Sequence, residues 1–272
     1  MPVTPRQAAY LHALGVTRYE PRQVQRAVPV DVAAAEPGLE TPPPMQIQDA
    51  PPVVSHAVAA PPVTPVVEVP SVSGAPAATD PATAWSTLTA QIAACTACGL
   101  SRTRTHTVPG VGDRRADWLI IGEAPGAEED ARGEPFVGRA GKLLDAMLRA
   151  VGLDRSRGVY ITNIVKCRPP NNRDPAPDEA AACAGYLERQ IALIGPKLIL
   201  AVGKVAAHNL LGSVEPIGRL RGRVWHWRGT ELPVVATYHP AYLLRSPLEK
   251  RKAWDDLCLA QDVYRQRSEA GA

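Results

Sequence analysis

From Ala82 onward, apolar runs of strand length alternate with longer stretches whose apolar positions recur at helical spacing. The runs are DWLIIG (117–122), VYITNIV (159–165), KLILAV (197–202) and PVVATY (233–238). The helical stretches are GRAGKLLDAMLRAVG (138–152), DEAAACAGYLERQIALIG (178–195), KVAAHNLLG (204–212) and PLEKRKAWDDLCLAQDVYRQR (247–267). Ahead of them, WSTLTAQIAAC reads as a helix running into Cys95. Strand–helix alternation of this kind predicts an α/β domain with a mostly parallel sheet covered on both faces. In such sheets ligands bind outside the carboxyl ends of the strands, so the loops there carry the chemistry.

The first 82 residues are a different material. They hold 16 of the 28 prolines, 4 of the 30 Lys/Arg and 7 of the 27 Asp/Glu, and no cysteine. Residues 4–19 can form a short helix with Ala9, Leu11, Leu14 and Val16 partly on one side, a candidate docking helix for a protein partner. From Glu20 to Pro81 the text is Ala/Pro/Val-rich, with PPP at 42–44. Proline at this density removes backbone donors and favours extended conformations, so a disordered linker is expected there. The predicted organisation is an N-terminal extension (1–82) followed by one folded domain (83–272). The extension is net acidic and the domain net basic by about six charges, a balance suited to a polyanionic partner. No apolar run approaches the roughly 20 residues of a membrane span, and no secretory signal opens the chain, so a cytoplasmic location is expected.

Three strand-end loops stand out. The first run is followed by Gly122-Glu123-Ala124-Pro125-Gly126, then Glu128-Glu129-Asp130 and Pro135-Phe136-Val137-Gly138. The glycines let the backbone approach a planar ligand. Phe136, the chain's one phenylalanine, lies in a Gly/Pro-framed loop rather than on an apolar stripe, as a ring offered for stacking would. Asn163 interrupts the second apolar run near its end, and its amide presents a donor and an acceptor together, matching the O4 and N3–H edge of uracil. After the fourth run comes His239-Pro240-Ala241-Tyr242-Leu243-Leu244-Arg245, a histidine beside an apolar triplet suited to filling the gap left by an extruded base.

Five cysteines argue against a closed disulfide framework. Cys95 and Cys98 form C-x2-C, Cys167 follows the second strand, and Cys183 lies 15 intervening residues further on. Four thiolates suit zinc or a [4Fe–4S] cluster, and the spacing alone does not choose. Cys258, inside the last amphipathic stretch, reads as an ordinary buried thiol.

Taken together, GEAPG…PFVG, TNIVKCRPPNNRDP, HPAYLLR and C-x2-C…C-x15-C resemble the family 4 uracil-DNA glycosylases, the iron–sulfur branch of that superfamily, over about residues 85–265. The resemblance implies a three-layer αβα fold on a four-stranded parallel core sheet. It implies a [4Fe–4S] cluster on Cys95, Cys98, Cys167 and Cys183, and uracil-containing DNA, single- or double-stranded, as substrate of a monomeric enzyme. It sets the Glu123-Ala124-Pro125 backbone against the uracil ring with Phe136 on its face. Asn163 reads the pairing edge and His239 bonds O2. Tyr242, Leu243, Leu244 and Arg245, with Arg173, meet the DNA. One branch of the superfamily activates water with an aspartate where this chain has Ala124, which leaves Glu123, Glu129 and Asp130 as carboxylates to position it. Another branch traps uracil covalently through a loop histidine. The matching stretch here, CRPPNNRDPAPDE, has none, which favours turnover over the alternative of a non-catalytic or covalent uracil-DNA binder.

Overall fold

The computed structural model describes residues 80–270. Expectations placed on residues 4–19 and on the linker as far as residue 79 lie outside the described residues. Helix α1 (Pro81–Ala94) starts where Asp80 accepts from the Thr83 amide and proline occupies the first turn, whose orphan N–H groups proline does not need. Strand β1 (Val111–Gly112) and strand β2 (Trp118–Gly122) precede the short helix α2 (Ala127–Arg132) and the longer α3 (Arg139–Ala150). Strand β3 (Val159–Asn163) leads to α4 (Pro177–Ile194), and β4 (Leu198–Val202) to α5 (Lys204–Leu211) and α6 (Ile217–Leu220). Strands β5 (Val224–His226) and β6 (Pro233–Thr237) are followed by α7 (Pro240–Arg245) and α8 (Lys250–Ala270). No helix among the described residues is long and apolar enough to cross a membrane.

The sheet order is β1-β3-β2-β4-β6-β5. The expected parallel core is β3-β2-β4-β6, and two short antiparallel edges, β1 and β5, extend it to six strands. Neither edge was legible: Val111–Gly112 is two residues long, and Val224–His226 is largely exposed, so neither carries an apolar run. The core strands are buried at every position. Because side chains alternate across a strand, the two faces sort into two cores. Leu119, Ile121, Ile199 and Val234 pack under α1 and α4 with Trp85, Leu88 and Ile191. Trp118, Ile120, Leu200 and Val235 pack against α3 and α8 with Leu144, Met147 and Leu257. The result is the three-layer αβα arrangement. Each such side chain contributes about 1.5–3 kcal/mol on burial, which makes a rigid platform for the strand ends.

Candidate active site

The carboxyl ends of β2, β3 and β6 open into one cleft of about 480 Å³. Glu123 and Ala124 reach it from the end of β2, Asn163 from β3, His239 from β6, and Tyr242 and Arg245 from α7. Phe136 and Glu129 line it from the loop and helix that follow β2. Pro125 is buried and does not line it. Asn172, which was not singled out from sequence, also lines the cleft, with a left-handed backbone (φ 54°); the Pro-Pro-Asn-Asn turn composition was the available signal.

Asn163 is the last residue of β3, in parallel register with Gly122. It is 1% exposed, and its Oδ1 is buried without a hydrogen-bond partner. An unpaired buried acceptor costs about 1–3 kcal/mol, which a ligand N–H would recover. Phe136 combines burial with a backbone φ of 54°, a conformation costing about 1–3 kcal/mol for a bulky residue. Its ring lies against the His239 imidazole, centroids 5.6 Å apart.

His239 N-caps α7, its Nδ1 accepting from the Ala241 amide at 3.1 Å. An accepting Nδ1 assigns the ring proton to Nε2 in the neutral form. Burial, reinforced by Arg245 and opposed by Glu129, lowers its pKa from 6.5 to about 4, so the ring is a neutral N–H donor at ordinary pH. Gly203, at φ 96°, brings its Cα close behind the ring; a Cβ there would stand 3.0 Å from the His239 Cβ.

The three carboxylates separate clearly. Glu129 Oε1 accepts from the Val137 and Gly138 amides (3.0 and 3.1 Å) and Oε2 from Gly126 (3.1 Å), tying the two loops after β2 together. Asp130 is buried and holds the Thr105 and His106 amides. Glu123 makes no such caps. Burial, then the neighbouring Asp174, raises its pKa to about 7, with Lys204 pulling the other way.

The segment after β6 departs from the loop expected there, because a proline read as a loop mark is the first residue of α7. Leu243 is consequently 1% exposed, packed into the core with Leu144 and Leu257, and cannot enter a groove. Tyr242 and Leu244 are each 37% exposed, and Leu248, missed from sequence, is 91% exposed. Arg173 turns its guanidinium to Glu179 in a two-pronged pair (2.8 and 2.7 Å), so its charge is already partnered. Cys258 is half-buried on α8.

Cys95, Cys98, Cys167 and Cys183 all line one separate pocket, on the α1–α4 side of the sheet. Arg104 Nη1 donates to Cys167 Sγ at 3.1 Å, and Lys166 also lines the pocket. Lys166 is 1% exposed; its ammonium donates to Thr162 Oγ1 and the Asn163 carbonyl, both at 2.7 Å and both uncharged. Burial lowers its pKa to about 8, with the Cys183 and Cys167 sulfurs pulling the other way. Among the described residues no three His, Cys, Asp or Glu converge closely enough to hold a single ion.

A model of the uracil DNA glycosylase superfamily matches residues 109–258. The chain belongs to the uracil-DNA glycosylase superfamily. Within it, the type-4 uracil-DNA glycosylase of Archaeoglobus fulgidus is 47% identical over 164 residues, covering 58% of this chain and 81% of that protein. The type-4 enzyme of Thermotoga maritima is 48% identical over 153 residues, 56% and 79% of the two chains. The type-5 uracil-DNA glycosylase of Thermus thermophilus is 39% identical over 118 residues, 38% and 53% respectively. The resemblance read from GEAPG, TNIVKCRPPNN and HPAYLLR is thus a family membership, and these type-4 relatives match at higher identity (47% and 48%) than the type-5 relative (39%).

Proposed function

We propose that this chain is a DNA-repair glycosylase that takes uracil out of DNA and hydrolyses its N-glycosidic bond, leaving an abasic site. The observation that carries the reading is the unpaired, buried Oδ1 of Asn163 in a cleft that also holds a neutral His239 N–H donor. Oδ1 accepts uracil N3–H while the amide nitrogen donates to O4; cytosine reverses that edge and leaves both groups unpaired. Phe136 offers its ring face to the base. Cleavage builds positive charge on the sugar and negative charge on departing uracil, and His239 Nε2–H stabilises that anion at O2, a kind of term worth about 3 kcal/mol per donor. Glu123 is the carboxylate to orient water, since Glu129 and Asp130 are committed to backbone amides. Exposed Tyr242, Leu244 and Arg245 on α7 meet the DNA, with Leu244 filling the gap left by the flipped base.

We assign a [4Fe–4S] cluster to Cys95, Cys98, Cys167 and Cys183, on the chemistry of their four thiols. Four thiols lining one pocket are the donor set that such a cluster takes. Bound there, the cluster supplies a cross-link between α1, the strand β3 exit and α4, because hydrolysis needs no electron. We place the catalytic unit in the folded domain and the N-terminal extension outside it, in a monomeric, cytoplasmic chain. The test is release of free uracil from U:G, U:A and single-stranded oligonucleotides; no release from any of them would overturn the reading.

A further inference from the structure

Phe136 occupies left-handed backbone space that a bulky residue keeps only when its surroundings over-determine it. Three contacts do so. Glu129 holds the amides on the C-terminal side, at Val137 and Gly138. Gly141 leaves room for the Phe136 carbonyl, whose oxygen would be 1.7 Å from a Cβ at that position. The third contact is Arg155, from the turn between α3 and β3. Its Nη1 donates to the Pro135 carbonyl (2.9 Å) and its Nη2 to the Phe136 carbonyl (2.7 Å). Its Nε donates to Asp145 Oδ1 on α3 (2.9 Å), which fixes the plane of the fork. Arg155 does not itself line the cleft.

We propose that Arg155 is a positioning residue for excision: its fork fixes the two carbonyls that flank Phe136 and so aims the ring at the base. The inference rests on the reading of Phe136 as the stacking face for uracil. Planarity matters, because two adjacent carbonyls and one carboxylate are met at once by a rigid guanidinium and by no single ammonium. Without the fork, the strained backbone relaxes and the ring tilts while the core beneath it stays packed.

Single-turnover excision, inhibition by free uracil and thermal midpoint, measured together, test this on Arg155→Met, Arg155→Lys, Phe136→Ala and the Arg155→Met/Phe136→Ala double variant. Misplacing a group that orients substrate costs up to about 100-fold, so Arg155→Met should slow excision about 10- to 100-fold and weaken uracil inhibition. Arg155→Lys should recover part of the loss. In the Phe136→Ala background, Arg155→Met should add less than about twofold, because residues acting as one unit are non-additive. If Arg155→Met does not fold, Arg155→Lys and Asp145→Asn carry the test, each expected several-fold slow. Full additivity, or a fast Arg155→Met beside a slow Phe136→Ala, overturns the proposal alone. A Phe136→Ala enzyme near the wild-type rate removes the stacking reading and the proposal with it.

Discussion

A Cβ placed on Gly122 would stand 2.5 Å from Asn163 Oδ1 and 2.5 Å from the Phe136 Cζ. The missing side chain at the end of β2 is therefore what lets the base-reading amide and the ring lie side by side. Both neighbours are buried, and neither is the free end of a flexible chain. Gly122→Ala should push one of them out of place and lower single-turnover excision by about 100-fold, in keeping with the sensitivity of catalysis to misplacement. Wild-type turnover by Gly122→Ala would show that the two groups do not act on the same base.

Asn163→Asp keeps the shape and changes the code. A carboxylate offers only acceptors where O4 needs a donor, so uracil excision should fall by about 10⁴-fold, as when a polar site loses its matching partner. Cytosine presents a donor at that position, and slow cytosine release is the expected gain. The assay compares uracil and cytosine oligonucleotides with the same variant, and an unchanged preference for uracil would remove Asn163 as the reader.

The pH profile separates His239 from Glu123. His239 titrates near 4 and stays a neutral donor above about pH 5, so it should leave no inflection in the neutral range. Glu123 titrates near 7, so if its carboxylate orients water, the single-turnover rate should rise through pH 7 and level off above it. Glu123→Gln should be slower by about 100-fold or more and lose that inflection. Stability runs the opposite way: a carboxyl whose folded pKa is raised contributes below its unfolded value and loses that contribution as pH rises through 7. At pH 8, Glu123→Gln should thus be at least as heat-stable as wild type. A flat wild-type profile between pH 6 and 8 would remove Glu123 from the chemistry.

The parallel core was legible because every one of its strands is a continuous apolar run, and the cleft because Gly122, Asn163 and His239 interrupt that pattern at strand ends. Roles set by packing direction were not. Leu243 and Leu244 are adjacent and chemically identical, and only the helical turn begun at Pro240 sends one inward and the other outward. Glu129 and Asp130 likewise read as free acids, since the backbone amides they hold lie in loops up to 25 positions away. Arg155 carried no motif at all, because two of its three partners are main-chain carbonyls.

The thiol pocket has a test independent of catalysis. Protein purified without oxygen should carry about four iron per chain and absorb broadly near about 400 nm. Cys167→Ser should bleach the colour, and Cys258→Ser, on α8 and outside the pocket, should not. Lys166→Met removes the buried cation beside Cys167 and Cys183, and should speed iron loss to a chelator even where excision persists. Stoichiometric zinc in place of iron would overturn the cluster.

The two leucines of α7 give the sharpest separation of fold from function. Leu243 is enclosed by the α3–α8 core, so Leu243→Ala should destabilise the protein by about 2–5 kcal/mol. Its effect on rate, measured well below the melting midpoint, should be the same for duplex and single-stranded substrates. Leu244 is 37% exposed on the outer side of the same helix and supports no core contact of comparable depth. Leu244→Ala should leave the midpoint within about 2 °C of wild type, since exposed substitutions change stability by less than about 0.5 kcal/mol. Its cost should appear only where a base must be extruded: excision from U:A duplex should fall about tenfold while excision from single strands holds, because unstacking and unpairing cost a few kcal/mol only in the duplex. U:G duplex should be intermediate, its mismatch being already weakened. Equal losses on duplex and single strands would show that Leu244 contacts the DNA without acting as a wedge, and would pass that role to Leu248, 91% exposed in the following turn.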